Sequence, residues 1–156
     1  MNVEEYIMAY DEKFMKQAIK LANKAKELDE VPVGAVIVKD GKVIAKAFNK
    51  RESKKDATAH AEILAIKSAC KKLGDFRLNG CEMYVSLEPC VMCTGAILNS
   101  RISKVFFGAF ISNGSISCTE LAGKAELNHK TEFEGGFFEK ECSALVSTYF
   151  QGKRKR

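Results

Sequence analysis

The first part of the chain carries hydrophobic residues at helical spacing. Between Asp11 and Leu28, apolar side chains recur every three or four positions, and lysines fill the opposite face. The apolar positions are Phe14, Ala18, Leu21, Ala22, Ala25 and Leu28. This period predicts an amphipathic helix that packs against a core, and Asp11 suits its N-cap.

A β-hairpin is predicted next. Apolar runs at 34–38 and 43–45 flank a turn that contains Asp40 and Gly41. An Asp-Gly pair favours the type I′ turn, whose twist matches that of paired strands, so two antiparallel strands are expected. The polar, basic stretch 49–56 that follows is expected to be a loop.

Helices and strands alternate through the rest of the chain. The pattern predicts helices over 59–73, from Pro89 onward, and over 139–150, with strands at 83–87 and 104–108. Residues 112–130 are rich in turn-forming residues and contain only a short predicted helix around 119–127. The order α-β-β-α-β-α-β indicates an α/β layered fold with a mixed sheet. We expect residues 1–156 to form one domain that ends in a basic tail at 153–156.

The composition is that of a globular protein. The chain has 156 residues, of which 46% are hydrophobic, with 11 Gly and 2 Pro, and this argues against a disordered or collagen-like chain. The longest apolar stretch, 105–111, is far shorter than the roughly 20 residues that cross a bilayer. The acidic start at 1–5 lacks the pattern of a secretory leader. We therefore expect a cytoplasmic protein without membrane segments.

Basic residues are concentrated in two places. The formal charge is +5, and residues 39–55 hold seven Lys and Arg against two acids, while 153–156 are all basic. Such patches can neutralise phosphates, so we expect contact with RNA, although lysines are also common on solvated hairpins and tails. Tyr149 and Phe150 precede the tail. They suit either the wall of a base pocket or the core.

Six cysteines are too few for a disulfide scaffold in a chain of this length. In a reducing compartment they are thiols or metal ligands. Four of them lie mainly in apolar contexts and are expected to be small buried side chains: Cys70, Cys81, Cys118 and Cys142.

Two short segments at predicted helix starts carry metal-binding residue types. His60 lies in the first, and Cys90 and Cys93 lie in the second, three residues apart on one helix face. An imidazole and two thiolates suit Zn²⁺, and three protein ligands leave open the fourth position that catalytic zinc sites use for water. A redox Cys pair, a core histidine, or a closed Cys₂His₂ site with His129 as fourth ligand are the alternatives.

Glu62 lies two residues after His60, on the same predicted first helical turn. That position brings a carboxylate near a metal-activated water without using it as a ligand, so we expect Glu62 to carry protons. Helix N-termini also favour anions, which helps to keep Cys90 and Cys93 as thiolates.

The combination of His-x-Glu and Pro-Cys-x-x-Cys resembles the zinc-dependent cytidine and deoxycytidylate deaminase superfamily. Within it, the chain is most similar to the bacterial tRNA adenosine deaminases, which make inosine at the wobble position. The matching segments are 30–38, 49, 58–63, 87–93, 95–96, 100–102, 107–109 and 128–129, and the resemblance covers roughly residues 14 to 150. It implies a three-layer α/β/α sandwich with a five-stranded mixed sheet, as in cytidine deaminases, and a homodimer that binds a tRNA anticodon loop.

The resemblance also implies roles for individual residues. His60, Cys90 and Cys93 would hold one Zn²⁺ per subunit, and Glu62 would be the general acid/base of hydrolytic deamination. Asn49 would contact the base.

Three further residues complete the implied substrate site. Val31 and Pro32 match the wall of the base pocket, and Ala61 is a further expected substrate contact.

One segment departs from the tRNA-enzyme pattern. After 107–109 those enzymes usually carry a basic residue and an Asp that touches the ribose, whereas 110–114 here reads Phe-Ile-Ser-Asn-Gly. This difference leaves open a deaminase of a free nucleobase, nucleoside or nucleotide, of the guanine or cytosine/cytidine type. A non-catalytic RNA-binding or scaffold protein that keeps zinc for stability is a third alternative.

Overall fold

The computed structural model of the protein describes residues 9–111, 117–124 and 129–154. The helices are α1 (Glu12–Glu27), α2 (Arg51–Lys54), α3 (Ala61–Leu73), α4 (Val91–Asn99), α5 (Cys118–Lys124) and α6 (Glu139–Arg154). The strands are β1 (Gly34–Lys39), β2 (Lys42–Phe48), β3 (Cys81–Leu87), β4 (Lys104–Ala109) and β5 (Glu132–Gly135). No helix in these ranges is long and apolar enough to span a membrane.

The strands form one five-stranded mixed sheet in the order β2-β1-β3-β4-β5. The pairs β1–β2 and β1–β3 are antiparallel, whereas β3–β4 and β4–β5 are parallel. One face of the sheet packs against α1 and α6, and the other against α3, α4 and α5. The predicted three-layer α/β/α sandwich is therefore confirmed.

The helix N-cap, the hairpin turn and the helix-ending glycine predicted in the first half of the chain are all present in the structure. The Asp11 side chain caps α1 by accepting a hydrogen bond from the N–H of Lys13 at 3.1 Å. Asp40 and Gly41 both have positive φ, at 51° and 75°, which is the backbone of a type I′ turn. Gly74 ends α3 in the left-handed conformation.

The structure differs from the sequence prediction in the stretch 49–56, which was expected to be a loop. It contains the short helix α2, because the buried Glu30 carboxylate accepts hydrogen bonds from the backbone N–H groups of Glu52 and Ser53, at 2.9 and 2.7 Å. Backbone donors at a helix start need such a partner. A distant acid, which the local pattern does not reveal, therefore makes this helix.

Helix and strand ends account for the other differences. Pro89 precedes α4 rather than lying in its first turn, since Cys90 is the N-cap. Helix α6 continues beyond residue 150 into the first two residues of the basic tail. The predicted helix at 119–127 begins at Cys118 and ends at Lys124, and residues 125–128 and 112–116 lie outside the described residues.

Strand β5 was not marked by the hydrophobic pattern. It is only four residues long, and its outward side chains Glu132 and Glu134 each lie 3.3 Å from the Lys104 ammonium of β4. A short edge strand of this kind depends on its neighbour rather than on its own apolar residues.

Gly34 allows β1 to lie directly against α1. A Cβ atom at this position would be 2.1 Å from the Ala18 carbonyl oxygen and 2.7 Å from the Ala22 nitrogen. No side chain fits there without moving the helix.

We expect Gly34→Ala to lower the free energy of unfolding by about 1–3 kcal/mol, because overpacking forces the helix away from the sheet. Urea unfolding at fixed zinc concentration measures the loss. Gly152→Ala in α6 is the matched control, since among the described residues no atom outside its own stretch of helix lies within 4 Å of the added Cβ. Equal stability of the two variants would contradict the packing argument.

The Glu82 carboxyl group is buried inside β3. It is 2% exposed, and its Oε1 atom has no hydrogen-bond partner among the described residues. Burial, together with the nearby charge of Asp40, raises the pKa of Glu82 to about 7. The folded protein therefore keeps this proton up to higher pH than the unfolded chain, so Glu82 lowers stability as pH rises through about 4.5 to 7.

We expect Glu82→Gln to raise the melting temperature at pH 8, with the gain shrinking toward pH 5, where Glu82 is protonated. The corresponding increase in the free energy of unfolding at pH 8 is on the order of 1–3 kcal/mol. Thermal unfolding of wild type and variant across this pH range measures it. Glu132→Gln, at an exposed position on β5, serves as control, and a pH-independent difference for Glu82→Gln would refute the buried-charge explanation.

Candidate active site

Two helix N-termini bring the predicted metal ligands together. His60 is the N-cap of α3 and Cys90 is the N-cap of α4, and both have extended backbone conformations. Cys93 lies one turn further along α4 and is fully buried. His60 and Cys90, which are 30 positions apart in sequence, therefore meet where the N-termini of α3 and α4 adjoin.

The distances fit a tetrahedral zinc ion. The Nδ1 atom of His60 lies 3.7 Å from the Cys90 Sγ and 3.5 Å from the Cys93 Sγ, and all three atoms are within 4.8 Å of one another. Zinc bonds of about 2.3 Å to sulfur and about 2.0 Å to nitrogen, at tetrahedral angles, give a nitrogen–sulfur separation of about 3.5 Å. The donor set and its spacing both suit Zn²⁺.

Hydrogen bonds among the three ligand side chains shift their pKa values. A hydrogen bond from the Cys93 thiol lowers the pKa of Cys90 to about 4 and raises that of Cys93. The hydrogen bond to Cys90 raises the pKa of His60. Cys90 is thus a thiolate at neutral pH, the form in which cysteine binds metals.

Glu62 is buried beside this cluster. Its side chain is 4% exposed, and burial raises its pKa to about 7. A carboxyl group with a pKa near neutrality can both take and give a proton at physiological pH, which is what a general acid/base requires.

A cavity of about 620 Å³ opens beside His60, Cys90 and Glu62. Its walls include Val31, Asn49 and Ala61 from the predicted substrate contacts. Pro32 is buried but is not among the lining residues. The remaining wall includes Val33, Arg51, Leu87, Glu88, Phe110, Ile111, Val146 and Phe150. The volume and the mixture of apolar walls with a few polar groups are typical of small-ligand sites.

Asn49 is held in place at the rim of this cavity. It is 4% exposed, its Nδ2 donates a hydrogen bond to the Val31 carbonyl oxygen, and its Oδ1 accepts one from the Arg51 N–H, each at 3.4 Å. These contacts join the wall residue Val31 to the start of α2.

The remaining histidine and cysteines lie apart from the cluster. His129 places its Nε2 atom 2.8 Å from the Ile102 carbonyl oxygen and, within the described residues, is not part of the metal-binding group. This position argues against the closed Cys₂His₂ alternative. Cys81, Cys118 and Cys142 are buried as predicted, whereas Cys70 is only partly buried.

Sequence reasoning missed the role of Glu88. Its carboxylate is 5% exposed and accepts hydrogen bonds from the N–H groups of Ile111 and Cys118, both at 3.0 Å. The residue before Pro89-Cys90 is thereby tied to Ile111, inside the segment that departs from the family pattern, and to Cys118, which follows that segment. The only local signal for it is an acid placed directly after the buried strand β3.

The first basic patch reaches the cavity through Arg51, whereas no residue of the basic tail is among the lining residues. Arg51 lines it from one side, and Phe150 and Gln151 line it from α6, two residues before the start of the tail. Phe150 is 43% exposed, and the Lys153 ammonium lies 2.7 Å from the Asp29 carboxylate. Phe150 is thus a wall residue rather than a core residue.

Comparison with known proteins agrees with this geometry. Residues 8–109 match the family described as the cytidine and deoxycytidylate deaminase zinc-binding region. The tRNA-specific adenosine deaminase of Bacillus subtilis is 48% identical over 151 residues, 96% of this chain and 94% of that protein.

Two solved structures extend the comparison. A tRNA:A34 deaminase, studied for A-to-I editing at the wobble position, superposes with a TM-score of 0.82 at 40% identity, covering 86% of this chain and 99% of that one. The guanine deaminase of Bacillus subtilis gives a TM-score of 0.62 at 45% identity, over 65% of this chain and 66% of that one. The chain belongs to the zinc-binding cytidine and deoxycytidylate deaminase family and, within it, to the tRNA-specific adenosine deaminases.

Proposed function

We propose that the protein hydrolyses the wobble adenosine of tRNA to inosine and releases ammonia. The main observation in support of this reaction is the cluster of His60, Cys90 and Cys93 at a cavity that is also lined by the buried Glu62. The relatives named for tRNA-specific adenosine deamination support the substrate.

We propose that His60, Cys90 and Cys93 hold one Zn²⁺ per subunit. The ion would lower the pKa of a water to about 7 and so supply a nucleophile at neutral pH. His60 Nδ1 faces the two sulfurs, so its proton would reside on Nε2. Cys93 is fully buried, so solvent cannot reach the ion from its side. His60 and Cys90 line the cavity, and substrate would approach the ion from there.

Glu62 moves the protons in this proposal. Its carboxylate takes one proton from the water as the new C–O bond forms at the adenine C6, and it passes a proton to the ring N1. The C6–N bond then breaks, and the amino group leaves as ammonia with a further proton delivered by Glu62. Adenosine and water are thereby converted to inosine and ammonia.

The cavity walls would select and orient the base. Asn49 lies at the rim with its amide held by Val31 and Arg51, and this fixed position suits a hydrogen bond to the purine. Val31 and Ala61 supply apolar wall, and Pro32, buried next to Val31, would support it from behind. Phe150 offers an exposed ring at the opening, where an aromatic side chain can stack on an extruded base.

The proposed partner is the anticodon loop of tRNA. Arg51 on the cavity wall, and the basic end of α6, which begins two residues after the wall residue Gln151, would face its phosphates. A homodimer and a cytoplasmic location are proposed on the family resemblance. Light scattering of the purified protein tests the dimer, and a monomeric mass would contradict it.

Deamination of free guanine is a second candidate. Segment 110–114 lacks the acid expected in tRNA enzymes, and a guanine deaminase is among the similar structures. Incubation with guanine, cytosine, cytidine and adenosine, beside tRNA, separates the candidates: ammonia from a free base with no inosine in tRNA would overturn the RNA proposal. Ammonia from any of these substrates would eliminate a non-catalytic zinc scaffold.

We expect Glu62→Gln to reduce inosine formation in tRNA by about 10²–10⁴-fold, because the amide cannot carry the proton. Sequencing of the wobble position measures activity, and elemental analysis should show zinc content equal to wild type. Glu134→Gln, an exposed acid on β5, is the control and should retain full activity. Deamination by Glu62→Gln at the wild-type rate would rule out the assigned role.

We expect Cys90→Ala to lose zinc, since two remaining ligands hold the ion far more weakly. The melting temperature of wild type should fall when a chelator is added, whereas that of Cys90→Ala should not respond. Cys70→Ala is the control, because Cys70 lies outside the cluster among the described residues. A Cys90→Ala protein that keeps stoichiometric zinc would contradict the ligand assignment.

A further inference from the structure

A second concave surface, separate from the active-site cavity, lies at the free edge of strand β2. It encloses about 410 Å³, and five lysines line it: Lys24, Lys46, Lys50, Lys54 and Lys67. We call it the lysine groove. None of its lining residues is acidic. The lysines come from α1, β2, the loop after β2, α2 and α3, so the fold gathers charges that are scattered along the sequence.

None of these lysines forms an ion pair within 4 Å in the described part of the chain, although the Asp56 carboxylate interacts electrostatically with Lys54 and Lys67. Lysines elsewhere form ion pairs, such as Lys104 with Glu132 and Lys153 with Asp29, but none of the five groove lysines does. The ammonium groups of Lys24 and Lys50 instead lie 5.8 and 4.9 Å from the centre of the Phe48 ring. Five ammonium groups around one concave surface create a positive potential that attracts an anionic partner.

The lysine groove and the active-site cavity share a wall. Asn49 and Arg51 line the cavity, whereas Lys50 and Lys54 line the groove, so α2 and the residues before it separate the two. The Glu30 carboxylate holds α2 in this position through two backbone hydrogen bonds. The two concave surfaces therefore adjoin along residues 49–54, which is the arrangement that an extended polyanion bound over Arg51 would need to reach Lys50 and Lys54.

We propose that the lysine groove binds the phosphate backbone of the RNA substrate, next to the nucleotide whose base occupies the active-site cavity. The inference rests on the proposed function, since it assumes that the base belongs to an RNA chain. It adds a binding surface that includes Lys24 and Lys67, which lie outside the two basic stretches of the sequence.

Protection of the sheet edge is the competing explanation. Lysines on edge strands prevent pairing with other chains, and Lys46 lies on β2, which is the edge strand. This explanation does not account for Lys24, Lys54 and Lys67, which approach the groove from helices. It also predicts that their removal leaves RNA binding unchanged.

The test compares two double variants in an inactive Glu62→Gln background, so that the RNA stays unconverted. Lys24→Ala/Lys67→Ala removes two exposed groove lysines, and Lys42→Ala/Lys72→Ala removes two exposed lysines that line neither cavity. Fluorescence anisotropy measures the Kd for a labelled tRNA transcript with adenosine at the wobble position, between 50 mM and 300 mM KCl. Melting temperatures verify that both variants fold.

The groove variant should bind about tenfold more weakly near 0.1 M salt, and its slope of log Kd against log salt should fall by about 2. The control variant should match its parent. Equal Kd values and slopes for the two double variants would overturn the proposal. A wild-type protein that shows this groove dependence but forms no inosine would overturn the proposed function and leave the groove as an RNA-binding site.

Discussion

The N-termini of α3 and α4 must place their ligand atoms within bonding distance of a single metal ion for this site to exist. His60 and Cys90 are the N-caps of these helices, and the His60 ring nitrogen lies 3.7 Å from the Cys90 sulfur. A shift of either helix by one turn would move its ligand about 5 Å away. The position of each helix on the sheet therefore decides whether the site can bind zinc.

Small side chains hold α3 at the required distance. Ala61, Ala65 and Ala69 recur every four residues and are fully buried against the sheet. Larger side chains would lift the helix and carry His60 away from the sulfurs, because packed interiors have no spare volume. Cys93, also fully buried, fixes α4 at the same layer. The same packing that stabilises the fold thus sets the ligand distances.

The buried carboxylates around the active site divide into two kinds according to how their burial is compensated. Glu30 and Glu88 each accept two backbone hydrogen bonds, and these hold α2 and the segments around Ile111 and Cys118 against the cavity. At Glu62 burial outweighs the favourable interactions, and its pKa rises to about 7. The first kind stabilises the walls, and the second provides a group that exchanges protons.

The sequence predicted those features that depend on local pattern. The turn at Asp40 and Gly41, the cap at Asp11 and the helical period of α1 are set by neighbouring residues, and the structure contains all three. The metal cluster was predicted because its residue types and spacing are chemically specific.

Features that arise from contacts between distant segments were not predicted. Helix α2 depends on Glu30 about twenty positions earlier, β5 depends on Lys104, and the lysine groove needs α1 and α3 to meet at β2. The spacing of hydrophobic residues along the chain does not reveal contacts between segments that are far apart in sequence. The role of Glu88 was missed for the same reason, since its partners lie 23 and 30 residues away.

X-ray absorption at the zinc edge tests the central claim, which is that His60, Cys90 and Cys93 form an open three-ligand site. We expect two sulfur ligands at about 2.3 Å and two nitrogen or oxygen ligands at about 2.0 Å, one of them exchangeable solvent. Three or four sulfur ligands, or two histidine nitrogens in a closed shell, would contradict it.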